Sequence, residues 1–336
     1  MSPNKKTAAA ALGEHDIIQL MRRHFTPMPN NSVPFGDDVS AMPIQPTNGD
    51  VAVLKTDMLV AKTDVPAGMT LWQAARKAVI MNVSDFAAKG AVPTAVLAAL
   101  GLPRGLPRGD LEEIAKGLDS GARQYGAYVV GGDTGEASDL VISVSLFGTG
   151  KKEKLVFRSG AKAGDILAVT GFFGRSAAGL RLLQDKTCKI PEASRAGLVD
   201  AVLMPMARLR EGLALAGCGV SASIDSSDGL AWCLHELASQ SGVGFVVSAL
   251  PVAAEVVEFA KLNGLDAVEL ALYGGEEYEL VVTVPRERWE AAVSVVEAVG
   301  GKLLHIGKAT REKQVLLETE GKKTEIQARG YEHFKT

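Results

Sequence analysis

Seven aspartates carry the chemistry this chain can do: the pair Asp37/Asp38, then Asp57, Asp85 and Asp133, and the pair Asp225/Asp228. Each sits at a strand end, in a glycine turn or at a helix start, where side chains from remote segments can converge. Singly, each has a local reading: Asp38 in a turn, Asp57 as a cap, Asp133 in an Asx turn after two glycines, Asp228 as a helix N-cap, and Ser84 with Asp85 as the cap of a short helix. Together they form a set of hard oxygen ligands with no His or Cys among them, a set that suits Mg²⁺ rather than zinc or copper. Such a set needs cations. Two carboxylates about 4 Å apart repel by roughly 4 kcal/mol at an effective dielectric of about 20. The glycines beside the acids point to phosphate as the other component, because they let backbone N–H groups approach an oxyanion closely.

Other routes to phosphate or acyl chemistry are missing. The chain has no Gly-x-x-x-x-Gly-Lys-Ser/Thr and no protein-kinase motif set. Gly148-Thr-Gly150 is a weak dinucleotide signal, lacking a third glycine and a following helix. The five histidines, His15, His24, His235, His305 and His333, have no recognisable nucleophile partner.

The elements that must position these acids follow from periodicity. Leu71–Gly90 predicts one long helix, with Val79, Asn82, Val83 and Phe86 at i, i+3, i+4, i+7 spacing, which brings Asp85 to the edge of an apolar stripe. Before it, the pattern predicts a helix at Glu14–Phe25, a loop over Val33–Asp38, a strand at Val51–Asp57 that delivers Thr56 and Asp57 to a sheet edge, and a loop through Pro66 and Gly68. After it come a strand at Thr94–Leu102, a helix at Asp110–Tyr125, a strand from Tyr128 running into the Gly131–Thr134 turn, and an alternating strand at Leu140–Gly148. The charged, glycine-dotted stretch Lys151–Gly164 marks a boundary, dividing the chain into residues 1–150 and 151–336. The second half predicts strands at Asp165–Gly171, Ala222–Ile224, Gly244–Val247 and Tyr278–Val284, with a terminal strand region to Gln327. Its helices fall at Ser176–Gln184, before Pro205, and at Leu209–Ala216, Ala231–Ser239, Asp266–Leu272 and Arg286–Val299. Many links look antiparallel, so an α+β fold is favoured over a doubly wound sheet.

At 336 residues the chain is comfortable for two domains, and 47% hydrophobic residues with 36 glycines describe an ordinary globular protein. The balance of 36 Lys+Arg against 39 Asp+Glu leaves no basic footprint for nucleic acid. Cys188, Cys218 and Cys233 are odd in number and widely spaced, arguing against disulfides or zinc and for a reducing cytoplasm. Met1–Ala11 has no signal-cleavage region, and the longest apolar segment, Ala91–Leu102, is broken by Pro93 and too short for a bilayer of about 30 Å. The expectation is a soluble, cytoplasmic protein.

In order, Phe35-Gly-Asp-Asp38, Lys55-Thr-Asp57, Asn82-Val-Ser-Asp-Phe-Ala-Ala-Lys-Gly90, Gly131-Gly-Asp-Thr134, Arg158-Ser-Gly-Ala-Lys-Ala-Gly-Asp165, Asp225-Ser-Ser-Asp-Gly-Leu230, Gly274-Gly-Glu-Glu-Tyr-Glu-Leu280 and Gly330-Tyr-Glu-His-Phe334 resemble thiamine-monophosphate kinase across nearly the whole chain. That family belongs to the ATP-binding superfamily of aminoimidazole ribonucleotide synthetase. The resemblance implies two α+β domains: an N-terminal mixed sheet with helices that dimerises, its sheets joining across a homodimer interface, and a C-terminal α/β sandwich. It implies Mg²⁺ ligands at Asp38, Thr56, Asp57, Asp85, Asp133, Asp225 and Asp228, with Asp57, Asp85 and Asp133 central to catalysis. ATP contacts are implied at Gly132, Asp133, Arg158 and Ser227, and substrate contacts at Glu276 and Tyr331, with Asp64 near the substrate. Asp37 is left to shape its turn. The implied reaction is in-line phosphoryl transfer from ATP to thiamine monophosphate, using several Mg²⁺ ions. Two positions depart from the family: Lys55 stands where Ser or Thr is common, and Asp64 where many members have His. A second superfamily enzyme, a Mg²⁺-dependent phosphohydrolase and a non-catalytic nucleotide-binding regulator are the alternatives. A selenophosphate synthetase is disfavoured because no Cys precedes Cys188, and the hydrogenase-maturation member because the chain ends Phe334-Lys-Thr.

Overall fold

A computed structural model describes residues 37–38, 40–43, 49–332 and 334. The helix expected at Glu14–Phe25, most of the loop before Asp37, and His15, His24 and His333 lie outside the described residues.

Two mixed sheets divide the described chain. The first contains β1 (Ser40–Pro43), β2 (Asp50–Val60), β3 (Val92–Leu102), β4 (Tyr128–Glu136) and β5 (Val141–Lys151), in the order β1-β2-β5-β3-β4. Its pairings are antiparallel except β3 with β4, which is parallel. The second contains β6 (Ile166–Val169), β7 (Ala222–Asp225), β8 (Gly244–Val247), β9 (Leu280–Val284), β10 (Leu304–Thr310), β11 (Val315–Thr319) and β12 (Lys322–Glu325), in the order β12-β11-β8-β10-β6-β9-β7. Two mixed sheets with helices make the fold α+β.

The one-turn helix α1 (Ala61–Asp64) leads from β2 to α2 (Leu71–Lys89). α2 is a single helix, so Ser84 and Asp85 cap nothing. Thr70 opens it with a capping box, its hydroxyl accepting from Gln73 N–H while Gln73 reaches back to Thr70 N–H. Gly90 closes it in the left-handed conformation at φ 67°. Burial runs around α2 on all sides, from Ala74 to Lys89, because helices pack on it and sheets from both halves meet it. α3 (Arg108–Gln124) packs along one side. On the other, α6 (Leu209–Cys218) comes so close that a Cβ on Gly212 would lie 2.0 Å from the Ala87 carbonyl oxygen. The second half adds α4 (Arg175–Gln184), α5 (Glu192–Leu203), α7 (Leu230–Ser241), α8 (Ala254–Asn263), α9 (Ala267–Tyr273) and α10 (Trp289–Ala298).

Several expectations change. β2 does not end at Asp57: it runs to Val60 and pairs with β5 along its whole length, placing Thr56 and Asp57 in mid-strand. Gly131–Thr134 is not a turn but part of β4, where Gly132 pairs with Ala98. A Cβ at Gly132 would lie 1.9 Å from the Ala98 carbonyl oxygen, so glycine there serves strand packing. The N-cap of α7 is Gly229, not Asp228. The strand expected from Tyr278 starts at Leu280, because Glu276 and Tyr278 adopt positive φ, 64° and 53°. The helix expected over Arg286–Val299 begins with a 3₁₀ turn, and β1, α1 and α8 are additional.

Candidate active site

The C-terminal half of α2 faces the end of β7 and the Asp37/Asp38 turn, and there three carboxylates meet. Oxygens of Asp38, Asp85 and Asp225 lie within 4.8 Å of one another, all three residues buried. Ser84 fixes Asp225 from α2, its hydroxyl donating to Oδ2 at 2.7 Å. Buried, mutually close carboxylates are hard-oxygen donors, so this set fits a divalent cation of the Mg²⁺ type.

Cationic side chains surround the cluster. Lys55 Nζ lies 3.1 Å from Asp57 Oδ1 and 2.9 Å from Asp85 Oδ2. Lys89 Nζ lies 2.7 Å from Asp37 Oδ1 and 2.8 Å from Asp38 Oδ2, and donates to the Ser223 carbonyl at 2.9 Å. Arg158 ion-pairs with Asp38, and its N–H donates to Asp37 Oδ2 at 3.1 Å. Asp37 therefore does more than shape a turn. Burial pushes the Asp85 and Asp57 carboxyls up, against the pull of Lys55. Burial opposes the charged form of Lys55, but Asp85 and Asp57 outweigh it and its pKa is raised. At Lys89 burial wins and the pKa is lowered.

A second group of candidates assembles toward the N-terminal half of α2. Lys77, 1% exposed, reaches Glu276 Oε1 at 2.5 Å and the Asp64 carbonyl at 3.1 Å. The Asp64 carboxylate accepts from Val60 N–H at 2.7 Å, so it holds its own strand-to-helix turn. Main-chain bonds from Glu276 N–H to Ser227 O and from Tyr331 N–H to Asp228 O bind three segments into one cradle. Ser227, Asp228, Glu276 and Tyr331 are thus neighbours. Below them Glu277 accepts from Gly174 N–H, Ser176 N–H and Ser176 Oγ at 2.7 to 3.0 Å, and burial pushes its carboxyl up to about 7.

Two expected ligands are elsewhere. Lys55 and Asp57 lie on the face of β2 toward α2, so alternation puts Thr56 on the opposite face, where it donates to Val144 O and accepts from Ser145 Oγ. Asp133 pairs with Ala99, which pairs with Ser143, which pairs with Met58, placing Asp133 on that same opposite face. β4 is three strand spacings, about 14 Å, from β2, so Gly132 and Asp133 stand apart from the cluster within one chain. Sequence reasoning also left Lys77, Lys89 and Glu277 without a role. Lys89 was legible as a cation four residues beyond Asp85 on one helix.

Two halves meeting on one buried helix define a fold of the AIR synthase related class. Residues 36–151 match the family "AIR synthase related protein, N-terminal domain" and residues 162–318 match "AIR synthase related protein, C-terminal domain". The chain is similar to the thiamine-monophosphate kinase of Pyrococcus horikoshii, 37% identical over 324 residues covering 96% of each chain. With that of Nitrosopumilus maritimus it is 36% identical over 283 residues, covering 84% of this chain and 89% of the other. A solved structure of AaThiL complexed with AMPPCP and TMP superposes with a TM-score of 0.85 at 29% identity, covering 98% of this chain and 99% of that one. The chain belongs to the thiamine-monophosphate kinase family.

Proposed function

We propose that this chain phosphorylates thiamine monophosphate with ATP, giving thiamine diphosphate and ADP. One observation carries the reading: α2 links a buried Asp38/Asp85/Asp225 cluster to a cradle made of Glu276, Ser227 and Tyr331. The solved relative with AMPPCP and TMP supports it.

The acceptor is a phosphate monoester with a second pKa near 6, mostly dianionic at pH 7, so its oxygen attacks without a general base. The described histidines fit that economy. His235 and His305 lie within hydrogen-bonding distance of the Ile326 and Gly307 carbonyl oxygens. The acceptor oxygen forms a bond to the γ-phosphorus of ATP while the bond to the bridging oxygen breaks and ADP leaves. Asp38, Asp57, Asp85, Asp225 and Asp228 would hold Mg²⁺, which would supply charge neutralisation between the two polyanions. Arg158 and Ser227 serve ATP, and Glu276 and Tyr331 hold the thiamine end, Tyr331 being 45% exposed. Asp64 contributes its carbonyl to positioning Lys77, while its carboxylate is engaged by the Val60 N–H.

Thr56, Gly132 and Asp133 enter through a homodimer. The face of the first sheet turned away from α2 is open and apolar, with Met58, Leu97 and Phe147 exposed. A second copy covering it brings an Asp133 to the site that its own chain does not reach. The domain division at residues 150/151 and a cytoplasmic location belong to the same reading. The three cysteines are unpaired, and among the described residues no helix is long and apolar enough to cross a membrane.

Incubation with ATP, Mg²⁺ and thiamine monophosphate should yield thiamine diphosphate and ADP in equal amounts. Phosphate release from ATP without thiamine monophosphate would instead identify a phosphohydrolase, and nucleotide binding without turnover a regulator.

A further inference from the structure

Buried carboxylates this close together must be neutralised by cations. Here part of the neutralising charge is covalently attached. Lys89 is an anchor: 1% exposed, it is fixed between Asp37, Asp38 and the Ser223 carbonyl. Lys55 is placed differently. It projects from mid-β2 toward the site, its side chain 19% exposed, with its Nζ between one oxygen of Asp57 and one of Asp85. Asp57 and Asp85 are two of the carboxylates read above as metal ligands. An ammonium bridging two carboxylates at 2.9 and 3.1 Å occupies the region that a shared divalent ion would occupy.

We propose that the Lys55 ammonium replaces a divalent cation between Asp57 and Asp85, so that this chain takes up one ion fewer than it would with a neutral residue at position 55. The inference rests on the metal reading of the cluster. It leaves the Asp38/Asp85/Asp225 set as the divalent site, since Lys55 engages one Asp85 oxygen and neither of the other two residues in the ion pairs observed. It also gives the departure at position 55 a chemical meaning. A Ser or Thr offers a neutral oxygen to a metal, whereas Lys offers a charge that repels one.

Mn²⁺ titrated into the nucleotide-free protein tests this, with free Mn²⁺ counted by electron paramagnetic resonance and melting followed in parallel. Lys55→Ser supplies a neutral oxygen. Lys55→Gln removes the charge at similar length, and serves if the serine variant does not fold. Lys55→Arg retains the charge. The neutral variants should bind one additional Mn²⁺ per chain, with a larger Mn²⁺-induced rise in Tm, and Lys55→Arg should keep the wild-type count. A neutral variant that folds only with Mn²⁺ supports the proposal in the same way. Equal counts in wild type and both neutral variants overturn it and leave the metal reading standing. No Mn²⁺ bound by any of the proteins overturns both.

Discussion

Asp225 illustrates how one side chain serves two roles. It lies among the carboxylates of Asp38 and Asp85 and accepts a hydrogen bond from Ser84. Asp225→Asn keeps an acceptor for Ser84 while removing a charge, so turnover should fall by about 100-fold or more with the melting temperature held or raised. Coupled assay and calorimetry on the same sample check both halves. Glu277 makes a prediction of the opposite kind, about stability. Its carboxyl, pushed up to about 7 from an ordinary value of 4.5, holds its proton more tightly folded than unfolded. The resulting stabilisation is full below pH 4.5 and is lost as pH rises through about 7. The stability difference between wild type and Glu277→Gln should therefore shift against wild type by up to about 3 kcal/mol between pH 4.5 and pH 8. Urea midpoints at the two pH values measure it. At this scale Asp38, Asp85 and Asp225 were legible as potential metal ligands because hard oxygens without His or Cys suggest one kind of ion. The partners of Asp37, Lys77 and Lys89 were not, since each pairs with a segment remote in sequence.

Among the elements, α2 was the most legible, because helical spacing and the Gly90 stop are local signals. The β2 and β4 expectations failed for a common reason. Thr-Asp and Gly-Gly-Asp-Thr have the composition of strand ends and turns, but pairing of β2 with β5 and of β4 with β3 extends both strands through them. α8 was legible yet missed: Val256, Phe259 and Ala260 are its buried face at i, i+3, i+4, and Gly264 closes it. The close approach of α2 and α6 carries the element-scale prediction. Gly212→Ala puts a methyl group against the Ala87 carbonyl and must push the helices apart. A loss of about 2–3 kcal/mol is expected, together with reduced turnover, because α2 carries Asp85 and Lys89. Urea unfolding unchanged from wild type would contradict this packing.

For the whole molecule, sequence alternation could have placed Thr56 and Asp57 on opposite faces, but the row joining Asp133, Ala99, Ser143 and Met58 emerges only from sheet register. That row makes the homodimer testable without a structure of it. Asp57→Asn and Asp133→Asn chains, each inactive alone, should recover about a quarter of wild-type activity when unfolded and refolded together, because one site of each mixed dimer is intact. No recovery would place Asp133 in its own chain's site. The ion pairs of α2 have a further consequence. Lys77, which holds Glu276, and Asp85, in the acidic cluster, are eight residues apart on one buried helix, a fixed interval of about 12 Å. On the proposed site assignment, that interval sets the length of acceptor the site takes. An acceptor must span from the ring-binding end to the metal-binding end, so thiamine falls short and thiamine diphosphate overshoots. Both should turn over at least about 100-fold more slowly than thiamine monophosphate under saturating ATP, and comparable rates for all three would show that length is not what the helix measures.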